Sequence, residues 1–342
     1  MVVELDRTAR ERLQGFIARA AGAKSCAITA LRRLRGGAIQ ENWYLDTEIT
    51  GGAFAGSLEA VVRTDAASRI DESLKRAQEF ILLKAALAAG VTVPEVLWLC
   101  RDPSVLGREF FVMRRLAGAA AGHRLVKDER LRQRSEALVE QLGKELARIH
   151  TITSSADGFD FLSLPEPSPA LYWIDRFRQY LDHLAIPHPV LEWGLRWLER
   201  NAPTEAEIVL CHHDFRTGNY MVDESGLTGI LDWEFAGWSD FHEDIGWFCA
   251  RCWRFGVHDR EAGGIGARET FYRAYEMASG RRIDPGAVSY WEVMAHVRWA
   301  VIALQQAQRH LSGDEPSLEP ALTSHLVPGL ELEILQLTGK EN

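Results

Sequence analysis

The sequence predicts an α+β chain in two parts, a strand-rich front third and a mainly helical remainder. Three observations carry this. Between residues 27 and 63, strand-like runs are broken by glycine-bearing turns, the texture of a small antiparallel sheet. Beyond Gly118 the apolar residues recur at helical spacing instead, as at Leu131, Leu138, Leu142, Leu146 and Ile149. Between residues 208 and 247, short apolar runs return around a dense group of polar side chains. A chain of 342 residues is long enough for two separately cored lobes, and the boundary is expected between residues 115 and 116.

Residues 5–21 carry apolar positions at helical spacing and should form an amphipathic helix. Strands are expected over 27–34, 42–49 and 58–63, with a turn at Arg35, Gly36 and Gly37. A glycine turn lets backbone amides come close to an anion, though by itself it marks a hairpin as readily. A helix over about 69–89 follows, then strands over 96–100 and 108–114 around the polar turn at Asp102, Pro103 and Ser104. The helical part should hold helices at 128–151, 171–184 and 190–201, with Pro165, Pro167 and Pro169 in the link between the first two. A strand at 208–211 leads to a hairpin of 219–222 and 227–231, turned by Asp223, Glu224, Ser225 and Gly226. Helices at 244–254, 267–279 and 285–311 follow, and Trp247, Trp253, Trp291 and Trp299 on them read as ordinary core by default, while one or two lining a substrate pocket would imply an acceptor with an apolar or ring-shaped body.

Chemistry concentrates in the stretch HHDFRTGN, where His212, His213, Asp214, Arg216 and Asn219 follow a buried strand. A hairpin brings its ends together, so Asp232 at the end of one strand is expected near Asn219 at the start of the other. A carboxylate and an amide oxygen suit a hard cation such as magnesium, which completes its shell with water and substrate phosphates. Asp214 sits on the loop rather than on either strand, where it can take a proton from a hydroxyl nucleophile.

His212, any residue, Asp214, then Asn219, then Asp232 beyond a hairpin resembles the catalytic and metal-binding loops of the protein-kinase-like phosphotransferases. The wording HHDFRTGN followed by ILDWE is most similar to the aminoglycoside phosphotransferase and choline kinase branch. Arg63 in VVRTD, where a kinase carries lysine, resembles a bacterial subgroup and the phosphotransferase domain fused to acyl-CoA dehydrogenases. The resemblance implies a bilobal protein-kinase-like fold with nucleotide-binding residues 1–115 and catalytic residues 116–342. It implies Asp214 as catalytic base, Asn219 and Asp232 as Mg2+ ligands, and His212 as a scaffold of the loop. Glu234 is implied as an auxiliary ligand or a support behind the ligands, and Asp244 in FHEDIGW as a buttress of the loop backbone. Arg63 would hold nucleotide phosphates with Glu79 or Glu72 as its partner, and Gly36 and Gly37 would border them. The nucleotide base would meet backbone near Met113, with ATP and GTP both fitting. His213 departs from the branch, which usually has glycine there. The implied reaction moves the γ-phosphate to a hydroxyl of a small molecule. A nucleotide-binding pseudoenzyme is the competing class, opposed by the intact Asp214, Asn219 and Asp232. A protein kinase ranks lower, since no Asp-Phe-Gly and Ala-Pro-Glu pair bounds an activation segment.

The formal charge of −9 argues against general nucleic-acid binding and would suit a cationic acceptor without requiring one. No apolar segment reaches bilayer length, and residues 1–20 are charged and amphipathic, so no membrane partner and a cytoplasmic location are expected. The five cysteines are odd in number and scattered, which fits reduced thiols, and the lone pair Cys249 and Cys252 fits no metal framework.

Overall fold

The computed structural model describes residues 6–34, 40–65, 73–184, 186–313 and 318–339. The turn glycines Gly36 and Gly37, and Glu72, lie outside these. The chain divides into two compact units, the first of residues 1–117 and 228–235, the second of residues 118–227 and 236–342.

The first unit opens with α1 (Arg7–Ala20), started by the Asp6 carboxylate accepting from the Ala9 amide. Its buried positions Ala9, Leu13 and Ile17 recur every four residues, one face of a helix. The strands are β1 (Ser25–Arg33), β2 (Gln40–Thr50) and β3 (Gly56–Asp65), followed by helix α2 (Arg76–Ala88) and β4 (Val96–Cys100). A one-turn helix, α3 (Pro103–Leu106), occupies the expected polar turn, so β5 (Phe110–Arg114) begins two residues later than the sequence suggested. The sheet is antiparallel throughout in the order β1-β2-β3-β5-β4. Strand β3 is therefore central, and Arg63 sits on it between Asn42 of β2 and Phe111 of β5. That position buries an arginine to 5% exposure. One face of the sheet packs with α1 through Leu13, Ile17, Trp43, Leu45, Phe110 and Val112.

In the second unit the helix expected over 128–151 is broken. Two single turns, α4 (Gly122–Leu125) and α5 (Glu129–Arg132), precede α6 (Ser135–Ile149), which buries Leu138, Leu142, Leu146 and Ile149. Helices α7 (Pro169–Asp182) and α8 (Pro189–Arg200) follow, each with proline in its first turn, where the missing N–H costs nothing. Strand β6 (Ile208–Cys211) coincides with the sequence expectation. Strands β7 (Tyr220–Asp223) and β8 (Gly226–Ile230) pair as expected. Along β8 the chain leaves the second unit, and a 3-10 turn at Trp233–Phe235 ends its return to the first.

An unexpected strand, β9 (Gly237–Asp240), pairs antiparallel with β6. It feeds α9 (Phe241–Cys249), capped by Asp240, three residues earlier than the expected start. Helices α10 (Arg268–Ser279) and α11 (Pro285–Leu311) come next, the latter with the expected limits, and α12 (Leu318–Thr323) and α13 (Val327–Thr338) end the described chain. Ile174, Leu191, Leu195, Val297 and Ile334 join α7, α8, α11 and α13 in one core. Helix α9 approaches α11 at Gly246, where a Cβ would stand 2.5 Å from the Trp291 Cβ.

Candidate active site

Pairing of β6 with β9 dictates the loop that follows β6. Cys211 opposes Gly237, so α9 begins close to residues 212 and 213, and its first turn aims Asp244 at their backbone. Asp244 Oδ2 accepts from the His212 amide at 2.6 Å and Oδ1 from the His213 amide at 2.8 Å. The same Oδ2 meets His150 Nε2 at 3.3 Å, and His150 Nδ1 meets the Tyr275 hydroxyl at 2.8 Å. A carboxylate only accepts, so Nε2 carries the imidazole proton and Nδ1 accepts from tyrosine. Burial pushes the Asp244 carboxyl up, but the His150 hydrogen bond and neighbouring imidazoles outweigh it, and the net direction is down. Burial likewise holds His150 below its ordinary value, against the pull of Asp244. His150, Cys211 and Asp244 bring their ligand atoms within 4.8 Å of one another. With Asp244 accepting from two amides and His150, and burial holding the Cys211 thiol well up, the group is a hydrogen-bonded hub of the loop.

The clamp bends the backbone at His213 to φ 62°. Left-handed backbone favours glycine, and histidine is among the side chains that tolerate it better than most. The departure at His213 therefore keeps the loop's conformation. Its ring is buried, edge-on to Trp173 and 3.7 Å from Glu243 Oε1. His212, fully buried, accepts the Asp214 amide on Nδ1 at 3.2 Å, which fixes the backbone of Asp214.

Asp214 projects from this scaffold with Oδ1 accepting from Arg216 Nε at 2.9 Å and from Trp247 Nε1 at 3.0 Å. Asn219 donates its amide nitrogen to the Asp214 carbonyl at 3.0 Å and to Asp214 Oδ2. Since both partners only accept, the Asn219 amide must face them with nitrogen, and its oxygen is the atom left for a cation. Thr217 ties the loop to the Gly263 carbonyl at 2.7 Å, and Gly218 leaves room that a Cβ would take from Arg216, 3.0 Å away.

In the first unit the central-strand arginine organises a second cluster. Arg63 Nε donates to Glu79 Oε2 at 3.0 Å, and its Nη2 lies 2.8 Å from Glu79 Oε1 and 3.0 Å from Asp232 Oδ1. Arg76 contacts Glu79 as well, and reaches Asp65 at 2.8 Å. Glu234 accepts from Ser73 Oγ at 2.8 Å, and burial, partly countered by Arg63, pushes its carboxyl up to about 7. Burial opposes the charge of Arg63, but Glu79 and Asp232 hold its pKa above the usual value. Asp232 adopts φ 59° and keeps 41% of its side chain exposed, a hard oxygen donor of the kind magnesium takes. The amides of Arg114 and Arg115, just beyond Met113, donate to the carbonyls of Glu95 and Glu59.

Each unit thus gathers its own sequence-predicted residues: Arg63, Glu79, Asp232 and Glu234 in the first, His212, Asp214, Asn219 and Asp244 in the second. Sequence reasoning missed Arg76 and Ser73, polar positions on a segment read as a plain helix. It also read Trp247 as core or pocket lining and not as a hydrogen-bond donor to Asp214. Trp247 follows Asp244 by three residues, so both lie on one face of α9, and a signal was there to find.

The sequence profile of the phosphotransferase enzyme family matches residues 30–282, well over half of the chain. The chain belongs to the phosphotransferase enzyme family. Acyl-CoA dehydrogenase family member 10 of Mus musculus is 28% identical over 261 residues, which cover 70% of this chain and 23% of that protein. The chain spans less than half the length of the first curated relatives it matches. Among solved structures, a Ralstonia eutropha protein provisionally described as an aminoglycoside phosphotransferase has a TM-score of 0.74 at 21% identity, covering 96% of this chain and 98% of its own. A thermostable mutant of aminoglycoside phosphotransferase APH(4)-Ia, solved with ADP and hygromycin B, has a TM-score of 0.61 at 15% identity, covering 96% and 99%. The likeness shows the fold shared with these phosphotransferases, a bilobal kinase-like α+β architecture. No helix among the described residues is long and apolar enough to cross a membrane.

Proposed function

We propose that this member of the phosphotransferase family moves the γ-phosphoryl group of ATP or GTP to a hydroxyl of a small molecule. The observation that carries the reading is Asp214, held on a clamped loop with both oxygens oriented by named donors. Family membership and the ADP complex of a structural neighbour support a nucleotide as co-substrate. The proton of the acceptor hydroxyl passes to the Asp214 carboxylate as its oxygen bonds to the γ-phosphorus. The bond from that phosphorus to the β–γ bridging oxygen breaks, and the nucleoside diphosphate leaves.

Asn219 and Asp232 are the oxygen donors that would hold magnesium, which supplies charge neutralisation to the phosphates when bound. Arg63, steadied by Glu79, would position those phosphates, and Glu234 would support Asp232. Because the Arg114 and Arg115 amides are already spent, a nucleotide base would meet carbonyls of the Met113 segment or amides beyond it. Most of the rate enhancement would come from alignment and charge. Residues 1–115 would bind the nucleotide, and residues 116–342 would carry the catalytic groups and the acceptor, in the cytoplasm.

Transfer of label from ATP and GTP, with magnesium, across aminoglycosides, choline-like alcohols, sugars, macrolides and hydroxyacyl compounds tests this. Label should reach one compound class, and Asp214→Asn should lower the rate by about 10²- to 10⁴-fold, the usual weight of a general base. Tight nucleotide binding with no transfer above the Asp214→Asn level would favour a pseudoenzyme instead.

A further inference from the structure

Asp214 is gripped unevenly, and the grip leads away from the loop into the helices. Its Oδ1 accepts twice, from Arg216 and from Trp247, whereas among the described residues Oδ2 accepts from Asn219. A carboxylate oxygen offers about two lone-pair directions, so Oδ1 is filled and Oδ2 keeps one open. Both donors to Oδ1 are in turn stacked in guanidinium–indole pairs. Arg216 lies over the Trp253 ring at 4.4 Å. Trp247 lies against Arg298 at 4.8 Å, and Arg298 is also 4.8 Å from the Trp173 ring.

Arg298 is buried and donates from Nη1 to Glu243 Oε1 at 3.1 Å, while Trp173 Nε1 donates to Glu243 Oε2 at 3.2 Å. A buried ion pair adds little stability over a well-packed apolar pair, so its presence calls for another use. A planar guanidinium held between two indoles and oriented by a carboxylate fixes the plane of both rings. The Trp247 plane sets the direction of its N–H.

We propose that Arg298 and Trp247 are positioning residues of phosphoryl transfer. Arg298 orients the Trp247 indole, the indole and Arg216 occupy Oδ1, and the acceptor proton goes to Oδ2. This rests on the reading of Asp214 as the base. Neither residue needs to touch the acceptor for the effect.

The test compares Trp247→Phe, Arg298→Met, Arg298→Lys, Asp214→Ala and the double variant Trp247→Phe/Asp214→Ala in the full chain. Rates are read with the acceptor that the transfer panel identifies and as phosphate release to water from ATP. Trp247→Phe and Arg298→Met should lower kcat by about tenfold or more, with KM for ATP and acceptor within about twofold. Arg298→Lys should recover part of the loss. Trp247→Phe should cost nothing further once Asp214 is alanine. Independently of any acceptor, the indole proton resonance that Trp247→Phe deletes should move in Asp214→Ala and in Arg298→Met. Parental kcat in Trp247→Phe, an equal further loss in the Asp214→Ala background, or an unmoved indole proton in Arg298→Met would overturn the proposal. Parental kcat in Asp214→Ala would instead remove the base reading, and the positioning role with it. An inactive Asp214→Ala beside a fully active Trp247→Phe removes the positioning role alone.

Discussion

The Arg63 cluster and the Asp214 loop solve the same problem, holding a functional group in one orientation, with opposite materials. Around Arg63 the chain uses charge: two guanidiniums, Arg63 and Arg76, share Glu79, with Asp65, Asp232 and Glu234 close by. Around Asp214 it uses backbone and rings: an Asp244 clamp on two amides, a left-handed residue, and indoles stacked on guanidiniums. The first arrangement has more carboxylates than cations and so suits a place where a cation is to arrive. The second holds a single carboxylate with neutral and cationic donors, and orients it. Orientation by charge is therefore sensitive to losing one partner, whereas orientation by packing is sensitive to shape.

Breaking the first arrangement should have the largest effect. Glu79→Ala leaves Arg63 and Arg76 facing each other without their shared buried partner, and should cost about 3–5 kcal/mol. Hydrogen exchange of peptides from β2 and β3 measures it, and a loss below about 1 kcal/mol would mean that charge does not organise this unit.

Acid should weaken the second unit through a buried histidine of α11. His296 is buried on α11, donates Nδ1–H to the Glu292 carbonyl at 2.6 Å, and burial lowers its pKa to about 4. The unfolded chain binds this proton near pH 6.5, so the stability contribution is complete above that and is lost as pH falls from 6.5 towards 4. The loss should reach about 3 kcal/mol. Urea denaturation of the parent and of His296→Gln at both pH values gives the comparison, and equal acid sensitivity of the two chains would contradict it.

The smallest effect concerns His213. Glycine relieves the left-handed backbone as it removes ring contacts, so His213→Gly should stay within about 1 kcal/mol of the parent, while His213→Ala should lose roughly 1 kcal/mol more than glycine. Thermal melting of the three chains ranks them. Alanine equal to glycine would show that φ 62° is not demanded by the clamp.

Much of this architecture was legible in the sequence. Strands β4 and β6 and helix α11 stand within their expected limits because each is an apolar run bounded by clear punctuation, such as Asp284 and Pro285 before α11. Strand β9 was missed because four residues reading Gly-Trp-Ser-Asp carry no alternation of their own and exist through pairing with β6. The broken start of α6 was missed because the apolar spacing continues through Leu131 although the backbone does not. Asp214, Asn219 and Asp232 were found through their order and spacing. The neighbours behind them were read less well: Ser73 meets Glu234 and Arg76 meets Asp65 only across the fold, although Arg76 to Glu79 and Asp244 to Trp247 are spacings of three that the sequence does show. A side chain whose role is to face another element leaves no period in its own.

One feature of the fold bears on how the chain is made. Residues 228–235 belong to the first unit, yet more than a hundred residues separate them from its earlier part, which ends at Ala117. Within that return, Ile230 donates to the Thr92 carbonyl, Leu74 donates to the Glu234 carbonyl, and Asp232 completes the surroundings of Arg63. A ribosome adding residues at the usual pace needs roughly 5–20 s to cover the gap. For that interval the nascent sheet carries its central arginine without one of its carboxylates. The first unit begins folding first and is finished only after about half of the second has been synthesised.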